Sequence, residues 1–299
     1  MMLNFLQLSL TPIIIAMLAA STCTLTGNFL LLRRQALIGD AISHVVLPGI
    51  VAAFLLTGTV STWPMILGAA GAALLAALMI ELIRRLGRVE ANAAMGISFT
   101  SLFAAGVLLL EISDTSAVHL DVEHALMGSL ESLIWLEATS WNSLFDKQAL
   151  AALPPELPRL LIVLLVLVSF VFLFWRPLVG ATFDAGFYKA NGMNTALLSV
   201  ALVICAALAA VAAFDAVGSI LVIAMFICPP AAARLVARSM KQQLFWSLIF
   251  TNILAILGYI LAGYGPLWFG MSATLSAAGM IASLSGVLLW SMILWQQRK

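Results

Sequence analysis

Two ionisable residues, Asp40 and His44, lie four positions apart inside the apolar stretch "RRQALIGDAISHVVLPG" (33–49). Charged groups at membrane depth are costly and as a rule face a cavity or a path. On a helix, positions i and i+4 share a face, with Cβ atoms about 6 Å apart. A carboxylate and a neutral imidazole so placed can meet one divalent cation of borderline softness, such as zinc, manganese or iron. Pro48 lies one turn further on. It has no N–H for the His44 carbonyl, which leaves that oxygen as a further ligand or a water anchor. Gly39 and Gly49 flank the segment and permit a break or close packing. The same pair also suits a hydrogen-bonded clamp between helices, or a proton relay. The residues alone leave the three open. Two ligands are few for a tight site, although a transport path needs binding weak enough to release its ion.

The elements that must position this pair are membrane helices. Of the 299 residues, 63% are hydrophobic and 9% charged, against about 25% charged in ordinary soluble domains. Continuous apolar runs exclude a β-barrel, whose strands alternate. The first 32 residues carry no charge and read as a spanning helix rather than a signal peptide. The sequence predicts a single all-α domain over 1–299, a polytopic helical membrane protein of eight or nine spans. The expected spans are roughly 9–32, 37–56, 63–83, 93–111, 158–175, 194–214, 216–233, 244–263 and 271–295. Eight would result if the second or seventh only dips into the membrane. With the N-terminus outside and the C-terminus inside, 12 of the 14 basic residues fall in cytoplasmic segments. On a straight second helix, Asp40 would be only about 9 Å from its cytoplasmic end.

Other polar residues have structural as well as functional readings. Asp215 reads as the N-cap of the seventh span or as a carboxylate that attracts cations. The acidic outer loop (about 112–157) holds His119, Asp121, Glu123 and His124, a solvated surface or a cation collector. Its Trp135, Trp141 and Phe145 suit a segment lying along the membrane interface. Gly68, Ala72 and Ala76 share a face and predict close helix packing. Pro229 and Pro230 should break the ladder of the seventh span. Arg234, Arg238 and Lys241 then make one basic face on a short helix, either a positive-inside anchor or a docking helix for a soluble subunit. Cys23, Cys205 and Cys228 read as small buried hydrophobes. No P-loop motif is present, so the chain is not itself an ATPase, and neither hydrolase motif sought, H-E-x-x-H or G-x-S-x-G, appears.

Four stretches carry a resemblance: "RRQALIGDAISHVVLPG" (33–49), "ANAAMGISFTSLFAAGVLLL" (91–110), "FDAGFYKANGMN" (183–194) and "AVGSILVIAMFICPPAAARLVA" (216–237). With them the chain resembles the permease subunits of ATP-binding-cassette importers for manganese, zinc and iron. The resemblance implies the vitamin-B12-type importer permease fold in the bacterial cytoplasmic membrane, with no permanently bound cofactor and no nucleic-acid partner. It implies pairing with a second permease, as a homodimer or a close heterodimer, with cytoplasmic ATPase subunits that use ATP and a periplasmic or surface metal-binding protein. It makes Asp40 and His44 contacts for the transported metal, and about 231–243 the ATPase-coupling segment. A double proline at 229–230, where one is more usual, departs from that pattern. A proton-coupled secondary transporter using Asp40, His44 and Asp215 as a relay is the rival reading.

Overall fold

The computed structural model describes residues 5–58, 62–112, 128, 130–137, 143, 146–268, 270 and 275–298. Inside its helices, the side chains at 40, 42–44, 46, 47, 62, 63, 65, 66, 85, 91, 110, 147, 148, 267 and 268 lie outside the description. His119, Asp121, Glu123, His124, Trp141 and Phe145 also lie outside the described residues.

The helices, in chain order, are α1 (Thr11–Leu32), α2 (Ile38–Thr57), α3 (Thr62–Gly87), α4 (Ala91–Ile112), α5 (Lys147–Ala151), α6 (Glu156–Leu173), α7 (Trp175–Phe183), α8 (Ala185–Ala190), α9 (Thr195–Val236), α10 (Met240–Trp268) and α11 (Ala277–Gln297). A π-helical turn, Leu6–Leu10, leads into α1. No strand occurs among the described residues. Seven described helices are long and apolar enough to cross a membrane; α2 adds a shorter apolar stretch, Pro48–Thr57.

Expected and observed spans agree closely at both ends of most helices, and the expected sixth and seventh are the two arms of one bent element. α9 runs for 42 residues with a non-helical Gly218 (φ 74, ψ 170). Only glycine adopts such a backbone cheaply, so the bend is written at that position. Straight, α9 would separate Ser199 from Met225 by about 39 Å. Yet Arg33 of α1 donates to Ser199 and Thr24 of α1 to the Met225 carbonyl, each at 3.0 Å. Those α1 residues are nine positions, about 13 Å, apart. The two arms of α9 therefore fold back beside α1.

α1 lies at the centre and is buried along nearly its whole length, as a helix apolar all round must be. Its polar residues meet α10. Thr24 Oγ1 and Thr251 Oγ1 lie 2.7 Å apart, and Asn28 Nδ2 donates to Ser247 Oγ at 2.8 Å. Asn252 Nδ2 reaches Ser21 Oγ at 3.3 Å. Such bonds hold helices together where no hydrophobic force separates helix from lipid.

Pro229 and Pro230 do not end the seventh span; α9 continues through both. Each proline removes one donor, freeing the carbonyls of Met225 and Phe226. Thr24 Oγ1 donates to the first. The second lies against Gly27 of α1, where any Cβ would collide with it. α1 makes up one of the two lost ladder bonds, through the Thr24 hydroxyl, and packs closely on the other carbonyl.

The Trp135 side chain is packed inside the protein. It is 2% exposed, and its Nε1–H donates to the Ala149 carbonyl at 2.8 Å. Its backbone N–H donates to Gln7 at 2.9 Å, tucking the segment onto the start of α1.

Candidate metal path and coupling surface

α2 begins at Ile38 after a tight connection, Arg33 to Leu37, in which Arg34 takes a left-handed φ of 58. Asp40 is thus in the first helical turn and His44 in the next, on one face of a continuous helix. The side chains of both lie outside the described residues.

What surrounds that helix is described in detail. Gly39 lies flat against the ring of Phe226, one turn before Pro230; a Cβ on Gly39 would sit 2.7 Å from ring carbons. Ile38, Ala41 and Val45 are buried. Gly49 meets Gly68 of α3 backbone to backbone, with Ala72 beside it, the close approach expected of that small-residue face. Pro48 is buried against Gly106 of α4, where no side chain would fit.

A cavity of about 660 Å³ opens between α2, α3 and α4, bordered by Pro48, Gly49, Gly68, Ala72 and Gly106. Among the described residues that line it only Thr57 is polar, and its Oγ1 donates to the Ala53 carbonyl at 2.8 Å. The described lining offers α2 room. Among the described residues no cluster of three or more His, Cys, Asp or Glu gathers at one place.

Arg33 does more than hold one face of the membrane. Its Nε donates to Thr182 Oγ1 and its Nη1 to Ser199 Oγ, both at 3.0 Å. It ties the end of α1 to α7 and to the first arm of α9. Burial pulls its pKa below the usual arginine value.

The motif "FDAGFYKANGMN" places two helix starts. Asp184 Oδ1 accepts from the Phe187 N–H at 2.9 Å and caps α8; Asn194 Oδ1 accepts from the Leu197 N–H at 3.0 Å and caps α9. Each cap is worth about 1 kcal/mol.

Asp215 is not an N-cap. It lies inside the first arm of α9, and its carboxylate pairs with Arg159 of α6 at 2.7 Å. The bend comes three residues later, at Gly218, and the guanidinium is the nearer partner.

Arg234, Arg238 and Lys241 do not share a short helix. α9 ends at Val236 and Ala237 is extended (φ −82, ψ 140). Ser239 Oγ accepts from the Gln242 N–H at 3.3 Å as α10 starts. Arg234 therefore belongs to the last turn of α9, Arg238 to the link and Lys241 to the first turn of α10. All three are exposed. The run "PPAAARLV" stays helical as the last turns of α9, so no separate helix forms there.

Sequence reading missed Phe226 and Gly27. The signal was present: Pro229 and Pro230 orphan the carbonyls at 225 and 226, and the polar run "STCTLTGN" (21–28) in the first span had no assigned partner.

The model of the ABC 3 transport family matches residues 4–294. The "Manganese transport system membrane protein MntD" of Bacillus subtilis is 37% identical over 270 residues, covering 90% of this chain and 86% of the relative. The "Zinc transport system membrane protein TroD" of Treponema pallidum is 32% identical over 281 residues, covering 94% and 72%. Among solved structures, PsaBC of Streptococcus pneumoniae, in complex with a Fab, superposes with a TM-score of 0.69 at 27% identity over 94% of this chain and 89% of that one. A metal-chelate type ABC transporter in an inward-facing conformation shares the fold, with a TM-score of 0.67 at 19% identity over 98% and 88%.

Proposed function

The chain belongs to the ABC 3 transport family, and from that membership we propose that it is the permease subunit of an ATP-driven importer for a divalent transition metal, manganese first. It is a multi-pass membrane permease. The observation that carries the proposal is the family match over residues 4–294, in a chain that holds Asp40 and His44 on successive turns of one helix. Relatives named for manganese and for zinc support the two metals in that order of similarity. Iron is the third candidate, since an Asp–His pair accepts it as readily.

In this reading the metal is cargo. A metal-binding protein delivers it outside the bacterial cytoplasmic membrane, with the N-terminus of the permease outside and its C-terminus inside. Cytoplasmic ATPase subunits dock on the exposed surface of Arg234, Arg238 and Lys241. Their motion passes along the second arm of α9 to Phe226, whose ring bears on Gly39 next to Asp40. A second permease copy presents the same α2, so two carboxylates and two imidazoles surround one axis. That pairing supplies the four ligands that one chain lacks.

The proton-relay reading loses a member, because the Asp215 carboxylate is engaged by Arg159. Uptake of radiolabelled manganese by cells carrying Asp40→Ala or His44→Ala tests the proposal. Uptake should fall to background while the ATPase still co-purifies. Near-normal uptake by both variants would overturn it.

A further inference from the structure

At the end of the bundle where Arg33 lies, the exit of α6, the start of α7 and the start of α10 enclose a recess of about 530 Å³. Its walls are Phe172, Leu173, Trp175, Arg176, Pro177 and Lys241. From this lining we infer a binding site for an anionic phospholipid, with the headgroup phosphate held between Arg176 and Lys241 and an acyl chain along Phe172 and Leu173.

Three positive sources meet there. Arg176 and Lys241 are exposed, and neither has an ion pair or hydrogen bond among the described residues. The third is the N-terminus of α7, whose N-cap Phe174 makes no side-chain cap bond. The helix dipole and the first-turn N–H groups of Trp175 and Arg176 favour an anion there. The rest of the recess is apolar and continuous with a membrane span. Phe172 is 81% exposed and Leu173 74%, and both are the last residues of α6. Trp175 is held edge-on to Phe29 of α1, with ring centroids 6.4 Å apart. Its ring therefore forms a fixed wall at the depth where aromatic belts meet headgroups.

The lining selects one class of ligand. An inorganic phosphate would satisfy the cations and leave the phenyl and leucyl walls wet. A neutral lipid would cover those walls and leave two cations unmatched. An anionic phospholipid does both. Lys241 then stands where two surfaces meet, the lipid recess and the ATPase-facing surface it shares with Arg234 and Arg238.

The test uses the full-length permease, delipidated in detergent and titrated with phosphatidylglycerol or phosphatidylcholine, with retention read by native mass spectrometry. Phosphatidylglycerol should be retained over phosphatidylcholine. A cation near an anionic headgroup is worth about 1 kcal/mol, about fivefold in affinity. Arg176→Gln and Lys241→Gln should thus each cost about fivefold, and the double variant about 25-fold. Arg88→Gln, which removes a charge outside the recess, should change nothing. Equal retention of both lipids, or retention insensitive to the double variant, would overturn the inference. Radiolabelled phosphate bound by lipid-free protein, and lost in the same variants, would assign the recess to free phosphate instead. Displacement of the lipid when the ATPase binds would give it to an acidic face of that partner. Matching thermal unfolding of variants and parent separates lost binding from lost fold.

Discussion

Pro48 in α2 and the Pro229–Pro230 pair in α9 do the same thing to a helix: each removes a backbone donor one turn above a carbonyl. Their surroundings differ. In α9 the freed oxygens are enclosed, Met225 by the Thr24 hydroxyl and Phe226 by the bare Gly27 of α1. In α2 the proline ring sits on Gly106 at the rim of a cavity of about 660 Å³. One proline segment is locked into the centre of the bundle, and the other borders free volume one turn from the candidate metal contacts. A proline in a membrane helix thus has no fixed meaning; its neighbours decide whether it is a rigid joint or a place where the helix has room.

That contrast can be broken or sharpened by experiment. The largest effect should come from α2: Asp40→Ala or His44→Ala reduces metal uptake to background with little change in thermal unfolding. If either variant unfolds instead, the pair is a structural clamp and the contrast fails. Next comes Gly27→Val, which drives a branched side chain into the Phe226 carbonyl. It should destabilise by about 1–3 kcal/mol, as overpacking does, read as a lowered midpoint in detergent. Gly106→Ala crowds Pro48 at the cavity rim, where there is space to yield, and should cost less stability than Gly27→Val while slowing uptake. Equal losses of stability would show that both sites are equally tight. Thr24→Val deletes a hydroxyl that bonds Met225 and Thr251, and should cost about 0.6–1.7 kcal/mol. Asp215→Asn should have the smallest effect. The pair with Arg159 is partly exposed, so about 0–1 kcal/mol is at stake, and the difference should shrink as salt rises.

The helices were legible because a bilayer permits few alternatives: about 20 apolar residues in a row must span it as a helix. Asp40 and His44 stand out in the sequence for a related reason, as an ionisable pair in an apolar background. The reversal between the sixth and seventh spans was legible too, placed near Asp215, three residues before the bend at Gly218. Two things were not. The basic residues 234, 238 and 241 kept helical spacing on paper, but the helix stops at Val236, where Ala237 turns extended. Asp215 carries an N-cap's residue type, and only the fold brings Arg159, 56 positions away, within 2.7 Å. For Asp215 the deciding contact is distant in sequence, which local pattern does not report.

The polar face of α1 has a consequence for the making of the protein. Asn28 and Ser247 are separated by 219 positions, and Thr24 and Thr251 by 227. At a synthesis rate of about 5–20 residues per second, α1 waits about 10–45 seconds for α10 to emerge. During that interval its hydroxyl and amide groups face lipid or translocation machinery without their partners. Local bonds bridge the gap: Thr22 Oγ1 donates to the Ala19 carbonyl at 2.7 Å, and Asn28 Nδ2 to the Thr24 carbonyl at 2.7 Å. Thr26 Oγ1 does the same to Cys23 at 3.2 Å. A helix that satisfies part of its own polar groups locally can enter the membrane early, and complete the bonding with α10 when the last helices arrive.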